Sequence, residues 1–353
     1  MKKARSSPGT STVHLGSVNC QTQRKMEHIP VKIDLLPSPF TYEVEPKSST
    51  RAFIEANTLV ATVDEVRHQH MIPVFVKDNE PLISHGDFIN AILDAMSDVF
   101  RGERILLPQV RVSHPIKGRI PDAKDKPASQ LQEWEKTLYY ERLIFAVEVA
   151  SIWDMVGGNT LSLTVGGVKA YNLDNLYQKK GADEHFKVFI GFQNKVCTNM
   201  CVWKDDYLSD LRVKNMEQLR MAIYRMLQTY SQDNLLHRVR VLPEYTLSEQ
   251  QFALLLGRCR MYQHLPANAR KYIPPLLFGD TQLEAVCKDY YRDESFCRQD
   301  DGSINLWRLY NLFTGVNKSS FIDTFLDRSV NALEFVEQVR SGLDGQGTNW
   351  YLQ

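Results

Sequence analysis

Cys197 and Cys201 stand four residues apart in FKVFIGFQNKVCTNMCVW, residues 186–203, with Asn199 between them. Two thiolates could share a zinc ion or a disulfide, and His68 and His70 in RHQHM could add imidazoles to a metal if a third ligand joined them. Nucleophilic catalysis would instead need a Ser or Cys on a sharp turn within reach of a His. The chain has no G-x-S-x-G elbow, and its nine histidines are scattered. Phosphate-loop motifs are missing too: TVGGVK, residues 164–169, is only a glycine pair inside a predicted strand.

Whether the two thiols can meet depends on the element that carries them. With Asn194-Lys195 as a two-residue turn, Phe192 faces Cys197, Ile190 faces Asn199 and Val188 faces Cys201. Alternation then gathers Phe186, Val188, Ile190, Phe192, Cys197, Asn199, Cys201 and Trp203 on one face, apolar except for the amide. Four residues along a strand span roughly 13 Å, too far for one zinc ion or one disulfide. The strand reading therefore makes both cysteines packing groups. Asn199 is the anomaly: a buried amide without partners costs about 1–3 kcal/mol, so it bonds neighbouring backbone or lines a polar site. Asn194, Cys197, Thr198 and Asn199 together form the candidate motif. His68 and His70 read more simply as a solvated strand face, because no carboxylate cluster of ligand spacing accompanies them. Catalytic, cofactor and metal residues are all left unassigned.

The elements around this motif are legible in part. Residues 71–77 alternate as a strand with a turn at Asp78-Asn79, and Ser84 with Asp87 at its third position opens a helix whose Phe88, Ile89, Ile92, Leu93 and Met96 share a face. From Gln109 to Lys214 short β-branched and aromatic runs alternate with turns. ERLIFAVEVASIW, the turn Gly157-Gly158-Asn159 and TLSLTVGGVKAYN make a hairpin, and Lys179–Glu184 a polar loop. After Lys214 the period becomes helical. Leu219, Ile223, Met226, Leu227 and Tyr230 form one stripe; Thr246 with Glu249, and Thr281 with Glu284, read as capping boxes; Ser303 caps INLWRLYNLF; Ser319 or Ser320 opens a last long helix. The expected architecture is α+β, a central antiparallel β-sheet with a helical C-terminal half packed on it. Its expected divisions are a disordered basic leader over 1–50, an α/β segment with the sheet over 51–215 and a helical region over 216–353.

Composition narrows the functional classes. The 353 residues are 43% hydrophobic and 24% charged, and no run approaches the roughly 18 apolar residues of a membrane span. Six cysteines over this length are too sparse for a disulfide framework, so a reducing, cytoplasmic setting is expected. The 42 basic and 42 acidic side chains cancel, so any polyanion would need a local patch. The candidate patch is Arg220, Arg225, Arg238 and Arg240 with Arg270, Lys271 and Tyr272 in ANARKYIPP, where cations beside an aromatic ring suit phosphate contact and base stacking. Glu217, Asp233 and Glu244 interrupt it, which an ordinary charged surface would also show.

NTLSLTVGGVKAYNLDNLYQKKG, EHFKVFIGFQNKVCTNMCVW and INLWRLYNLFTGVNKSSFIDTFLDR resemble an uncharacterised family of bacterial mobile elements, found near integrase, primase and mobilisation genes. That family is in turn similar to phage- and plasmid-borne proteins marked by a Val-Cys-Thr-Asn-Gly segment; here Met200 stands in the glycine's place. The resemblance runs from about residue 50 to the end and implies a setting, not a reaction. Two functions are expected from it and from the basic clusters: a non-enzymatic DNA-associated accessory protein acting in excision, transfer or replication, or an interaction or inhibitor module acting on a host or element-encoded protein. No cofactor and no membrane partner are expected. A third reading, a nuclease-type enzyme using Asp or Glu with a divalent metal, lacks a recognisable carboxylate cluster.

Overall fold

Strands form where side chains alternate between two apolar faces, and helices where the apolar period lengthens to a turn. In the computed structural model, residues 52–72, 83–175, 183–345 and 348–353 are described. The leader over 1–50, most of the strand and turn expected over 71–79 and most of the polar loop expected over 179–184 lie outside the described residues.

Along the chain come β1 (Thr58–Ala61), α1 (Val63–His68), α2 (His85–Val99), β2 (Gln109–Ser113), β3 (Ile116–Arg119), β4 (Lys136–Tyr139), β5 (Arg142–Val156), β6 (Asn159–Ala170), α3 (Tyr171–Asn175), β7 (Glu184–Asn194) and β8 (Met200–Val213). The C-terminal half adds α4 (Met216–Gln228), α5 (Gln232–Arg240), β9 (Thr246–Leu247), α6 (Glu249–His264), α7 (Ala267–Arg270), α8 (Asp280–Arg292), β10 (Ile304–Asn305), α9 (Leu306–Val316) and α10 (Ile322–Leu343). The main sheet has six strands in the order β1-β2-β5-β6-β7-β8, each pair antiparallel. The fold is α+β, as the sequence implies.

Alternation sorts the sheet into two buried faces. Phe145, Val147, Leu163, Val165, Phe186, Val188, Phe192, Cys201 and Trp203 join the main core with Phe88 and Ile92 of α2. On the other face, Ile144, Ala146, Val168, Phe189, Met200 and Val202 meet Phe325, Leu326 and Val330 of α10. Every position of β7 is buried, so it is the covered centre of this two-sided packing. Two glycines make the close approach possible. A Cβ on Gly166 would lie 2.1 Å from the Phe145 carbonyl oxygen, and one on Gly167 would lie 2.5 Å from Cζ of Phe88, whose ring stands edge-on to Phe145 and Phe186. Gly167 makes room for α2 against the sheet, while Gly166, on the opposite face, makes room for the paired strand's backbone and Phe189.

The β5–β6 hairpin closes on Gly157-Gly158, both at positive φ (56° and 80°), with Val156 opposite Asn159, the two-residue turn that glycine favours. The second hairpin differs from expectation. β7 runs to Asn194 and β8 begins only at Met200, so Phe192 pairs with Cys201 and Gln193 with Met200. A five-residue connection, 195–199, replaces the two-residue turn. Because the register slips by four residues, an even number, Cys201 and Trp203 keep the face assigned to them. Helix starts also differ. The Ser84–Asp87 box is present, but α6 is capped by Ser248 with Gln251, α8 starts after Gly279 with Gln282 reaching back, and α9 is capped by Asn305. Thr246 is spent in the β9–β10 ribbon, and Ser303 bonds Asp301 and Gln299 in the preceding turn. α10 opens at Phe321 with no side-chain cap, since Ser320 instead donates to Asn317 Oδ1. His68 ends α1 and His70 follows it, so the two do not share a strand.

The glycine pair yields the first prediction. Gly166→Ala pushes a methyl into the paired strand's backbone and should lower unfolding free energy by about 3 kcal/mol in urea titration, and Gly167→Ala, which meets both Phe88 and the Lys187 carbonyl, should lose about 1–3 kcal/mol.

Candidate functional site

The motif residues are built into the junction between the sheet and α9. Asn194 starts an Asx turn: its Oδ1 accepts from Val196 N (3.0 Å), its carbonyl accepts from Thr198 N (2.8 Å), and its own N–H donates to Asn199 O (2.9 Å). Thr198 sits at φ 58°, a left-handed conformation that disfavours a β-branched residue. The buried Lys318 ammonium holds it there, donating to Thr198 Oγ1 (3.0 Å) and to the Cys197 carbonyl. Thr198 Oγ1 also bonds Cys197 O (2.6 Å) and lies 3.1 Å from Ala52 O. Asn311 of α9 completes the closure. Its Oδ1 accepts from Asn194 Nδ2 (3.1 Å) and lies 3.8 Å from the Cys197 sulfur; its carbonyl accepts from Asn199 Nδ2 (2.9 Å); its own amide donates to Trp307 O (2.9 Å). Asn199 therefore serves backbone, though a distant carbonyl on α9 rather than a neighbouring one, and its Oδ1 is buried without a partner among the described residues.

Both motif cysteines are free and buried. Burial pushes the Cys197 thiol up to about 11 and the Cys201 thiol up to about 12, so neither is a ready thiolate. Cys197 lies in the loop rather than on a strand, so the separation expected from strand spacing does not apply. The packing role rests instead on both side chains joining the main core.

A second polar cluster sits where α1, α2, β4 and α3 meet. His70 and His85 stack at 4.6 Å between ring centres, with Tyr139, Tyr140 and Tyr171 around them. The Tyr140 N–H donates to His70 Nδ1 (3.0 Å) and the Tyr140 carbonyl lies 2.9 Å from His85 Nε2. One backbone unit thereby fixes both tautomers: His70 carries its proton on Nε2 and His85 on Nε2. Burial lowers the His70 pKa to about 4 and that of His85 well below its ordinary value, so both are neutral at pH 7. Beside them the fully buried Lys169 ammonium bonds Asp174 (2.6 Å) and Glu184 (3.1 Å), and Glu184 also accepts from Ile83 N (3.0 Å). Among the described residues no group of three or more His, Cys, Asp or Glu is placed to hold a metal ion.

The predicted basic residues divide. Arg238 of α5 grips Glu337 of α10 through two hydrogen bonds, with Asp205 at 3.5 Å, and Arg240 bonds Asp154 of β5. Both are tied into the molecule. Arg220 of α4 faces Asp94 of α2 at 3.6 Å on the surface, and Arg225 is exposed on the same helix. Arg270, Lys271 and Tyr272, at and just after α7, are all exposed, Tyr272 at 89%. A groove between α6 and α8, enclosing about 590 Å³, brings further cations together: Arg260, Lys288 and Arg292 beside Tyr291.

A family described as "Domain of unknown function, B. Theta Gene description (DUF3871)" matches residues 40–352. The chain belongs to the DUF3871 family. No curated protein and no solved structure matches it. The DUF3871 match spans the Asn194–Asn199 loop, both polar clusters and the α6–α8 groove. Sequence reasoning singled out the loop but missed its partners Asn311 and Lys318, the His70–His85 stack and the groove. For the stack no local signal exists, because His70, His85, Tyr140 and Tyr171 lie on separate elements. For the groove the signal is the doubly apolar FALLLGRCRMY of α6.

Asn311→Leu strands the Asn194 amide and should cost about 2 kcal/mol, and a double-mutant cycle with Asn194→Ala should return a coupling of about 1 kcal/mol, read by urea unfolding. For the imidazoles, the unfolded chain takes up protons near pH 6.5 and folded His70 only near 4, so the unfolded state binds more protons between those values. Stability is thus full above pH 6.5 and falls as the pH drops towards 4, by roughly 3 kcal/mol from His70. His70→Phe should be weaker at pH 7 yet flatten that slope; an unchanged slope would remove His70 as its source.

Proposed function

We propose that this DUF3871 protein is a non-enzymatic DNA-associated accessory protein of a mobile genetic element, acting in excision, transfer or replication. The observation that carries the reading is the exposed Arg270-Lys271-Tyr272 tip. A tyrosine at 89% exposure with no ring contact among the described residues contributes little to folding, while two exposed cations beside it supply phosphate contacts to accompany base stacking on its ring. The exposed Arg220 and Arg225 of α4 extend the supply of cations. The buried thiols and neutral imidazoles have structural partners, which supports a binding role over a reaction at those groups. The mobile-element setting comes from the resemblance carried by the NTLSL, KVCTN and INLWRLYNLF stretches. Arg238 and Arg240, being paired internally, are assigned to stability.

The test is a fluorescence titration of single- and double-stranded oligonucleotides across a salt series. Affinity should fall steadily as salt rises, and the triple substitution R270A/K271A/Y272A should weaken binding about tenfold or more and shallow the salt slope by about two charges. Absence of binding at low salt, or an affinity indifferent to salt and to the triple substitution, would refute the reading.

A further inference from the structure

α6 is apolar on two sides. Phe252, Leu255, Cys259 and Tyr262 face the core, while Leu254 and Met261, seven residues apart, are 40% and 55% exposed. Gly257 stands between these two at helical spacing, on the same outer stripe. A glycine inside a helix costs about 1 kcal/mol relative to alanine, and it is normally retained where something must come close. Here nothing within 4 Å would meet a Cβ at Gly257, so no part of the described chain explains it. The open space above it belongs to the groove that Leu256, Gly257 and Arg260 share with Leu283, Lys288 and Arg292 of α8.

The groove's chemistry narrows its occupant. Its floor is leucine, and its rim carries Arg260, Lys288 and Arg292 against the single carboxylate Glu284. Arg260 has Asp280 at 3.1 Å, whereas Arg292 makes no ion pair with a described residue. An occupant must therefore be anionic at its edges and apolar along its middle. A continuous polyanion fits less well, because Glu284 lines the groove and Glu249 accepts from Tyr291, whose ring is already covered on one side by Arg298. Leu254 and Met261 do not line the groove but stand beside it across Gly257, and, roughly 10 Å apart, they add about two turns of exposed apolar surface to its edge. We infer that the α6–α8 groove docks an acidic amphipathic helix of a protein partner, its apolar ridge passing over Gly257 and its carboxylates meeting Lys288 and Arg292. This site is independent of the nucleic-acid reading of Arg270–Tyr272.

The full chain is titrated with a fluorescent synthetic helical peptide bearing leucines at i, i+3, i+4 and i+7 and glutamates on both flanks. Controls are a scrambled peptide of the same composition, a lysine-flanked version and a single-stranded oligonucleotide. The acidic amphipathic peptide should bind, and the two control peptides should bind at least about tenfold more weakly. Gly257→Leu fills the groove and K288E/R292E reverses its rim; each should weaken that binding about tenfold or more. Thermal unfolding should be unchanged or raised for Gly257→Leu, since leucine is the better helix former and its Cβ meets nothing within 4 Å, so lost binding is separable from lost folding. Equal binding of all three peptides, no binding of any, or binding indifferent to both substitutions overturns the inference. So does an oligonucleotide affinity that falls with these substitutions while the peptide fails to bind, which would assign the groove to nucleic acid.

Discussion

One face of α9 holds the ends of both long hairpins. Trp307 Nε1 donates to Asn159 Oδ1 (2.8 Å) and its ring lies on Gly157, where a Cβ would come within 2.3 Å of it. One turn later Asn311 receives the Asn194–Asn199 loop, and Lys318 beyond the helix anchors the same loop by Cys197 and Thr198. Residues four apart on a helix point the same way, so a single short element sets the positions of β5–β6 and β7–β8 relative to each other. The contacts are polar and buried, which raises the stakes: each satisfied group costs little, but each one stranded would cost its full desolvation. Such a junction admits one register and penalises alternatives that an all-leucine contact would tolerate. Thr198 can remain at positive φ because the surrounding bonds over-determine it.

The three stretches that carry the family resemblance are the ones that meet at this junction. Asn159 opens the first, Asn194 to Asn199 lie in the second, and Trp307, Asn311 and Lys318 in the third. What makes the sequence recognisable is thus a way of closing a fold. The exposed features, the Arg270–Tyr272 tip and the α6–α8 groove, lie outside those stretches.

Much of the architecture was legible because it rests on period and turn chemistry. Gly157-Gly158 announces a tight hairpin, and the alternation of β5 to β8 marks both faces; even the slipped register of β7 on β8 preserved the inward set, because the error was an even number. The helical stripes of α2 and α4 are legible for the same reason. Cap positions were less legible. Thr246, Thr281 and Ser303 each have a chemically suitable neighbour three residues on or an apolar run behind, yet Ser248, Gly279 and Asn305 take the role. Tertiary pairing of Thr246 in β9 and the Ser303–Asp301 turn decide the matter, and neither is visible within a short window.

Charge was the least legible property, for a reason that applies to any neutral chain. Lys and Arg do two jobs, tying elements together and meeting solvent or a partner, and sequence spacing does not separate them. Arg238 and Arg240 sit in the same basic-looking run as His237, but each finds a carboxylate more than eighty residues away, on α10 and β5. Lys169, Lys187 and Lys318 are almost wholly buried, two of them bonded to carboxylates and the third to a carbonyl and a hydroxyl. Once those are assigned to the interior, exposed cations still remain on several elements, among them Arg101, Lys117, Lys124, Lys214, Arg270 and Lys271. A molecule with no net charge can still present local positive patches where cations gather at the surface, and the tip after α7 and the rim of the α6–α8 groove are two such places.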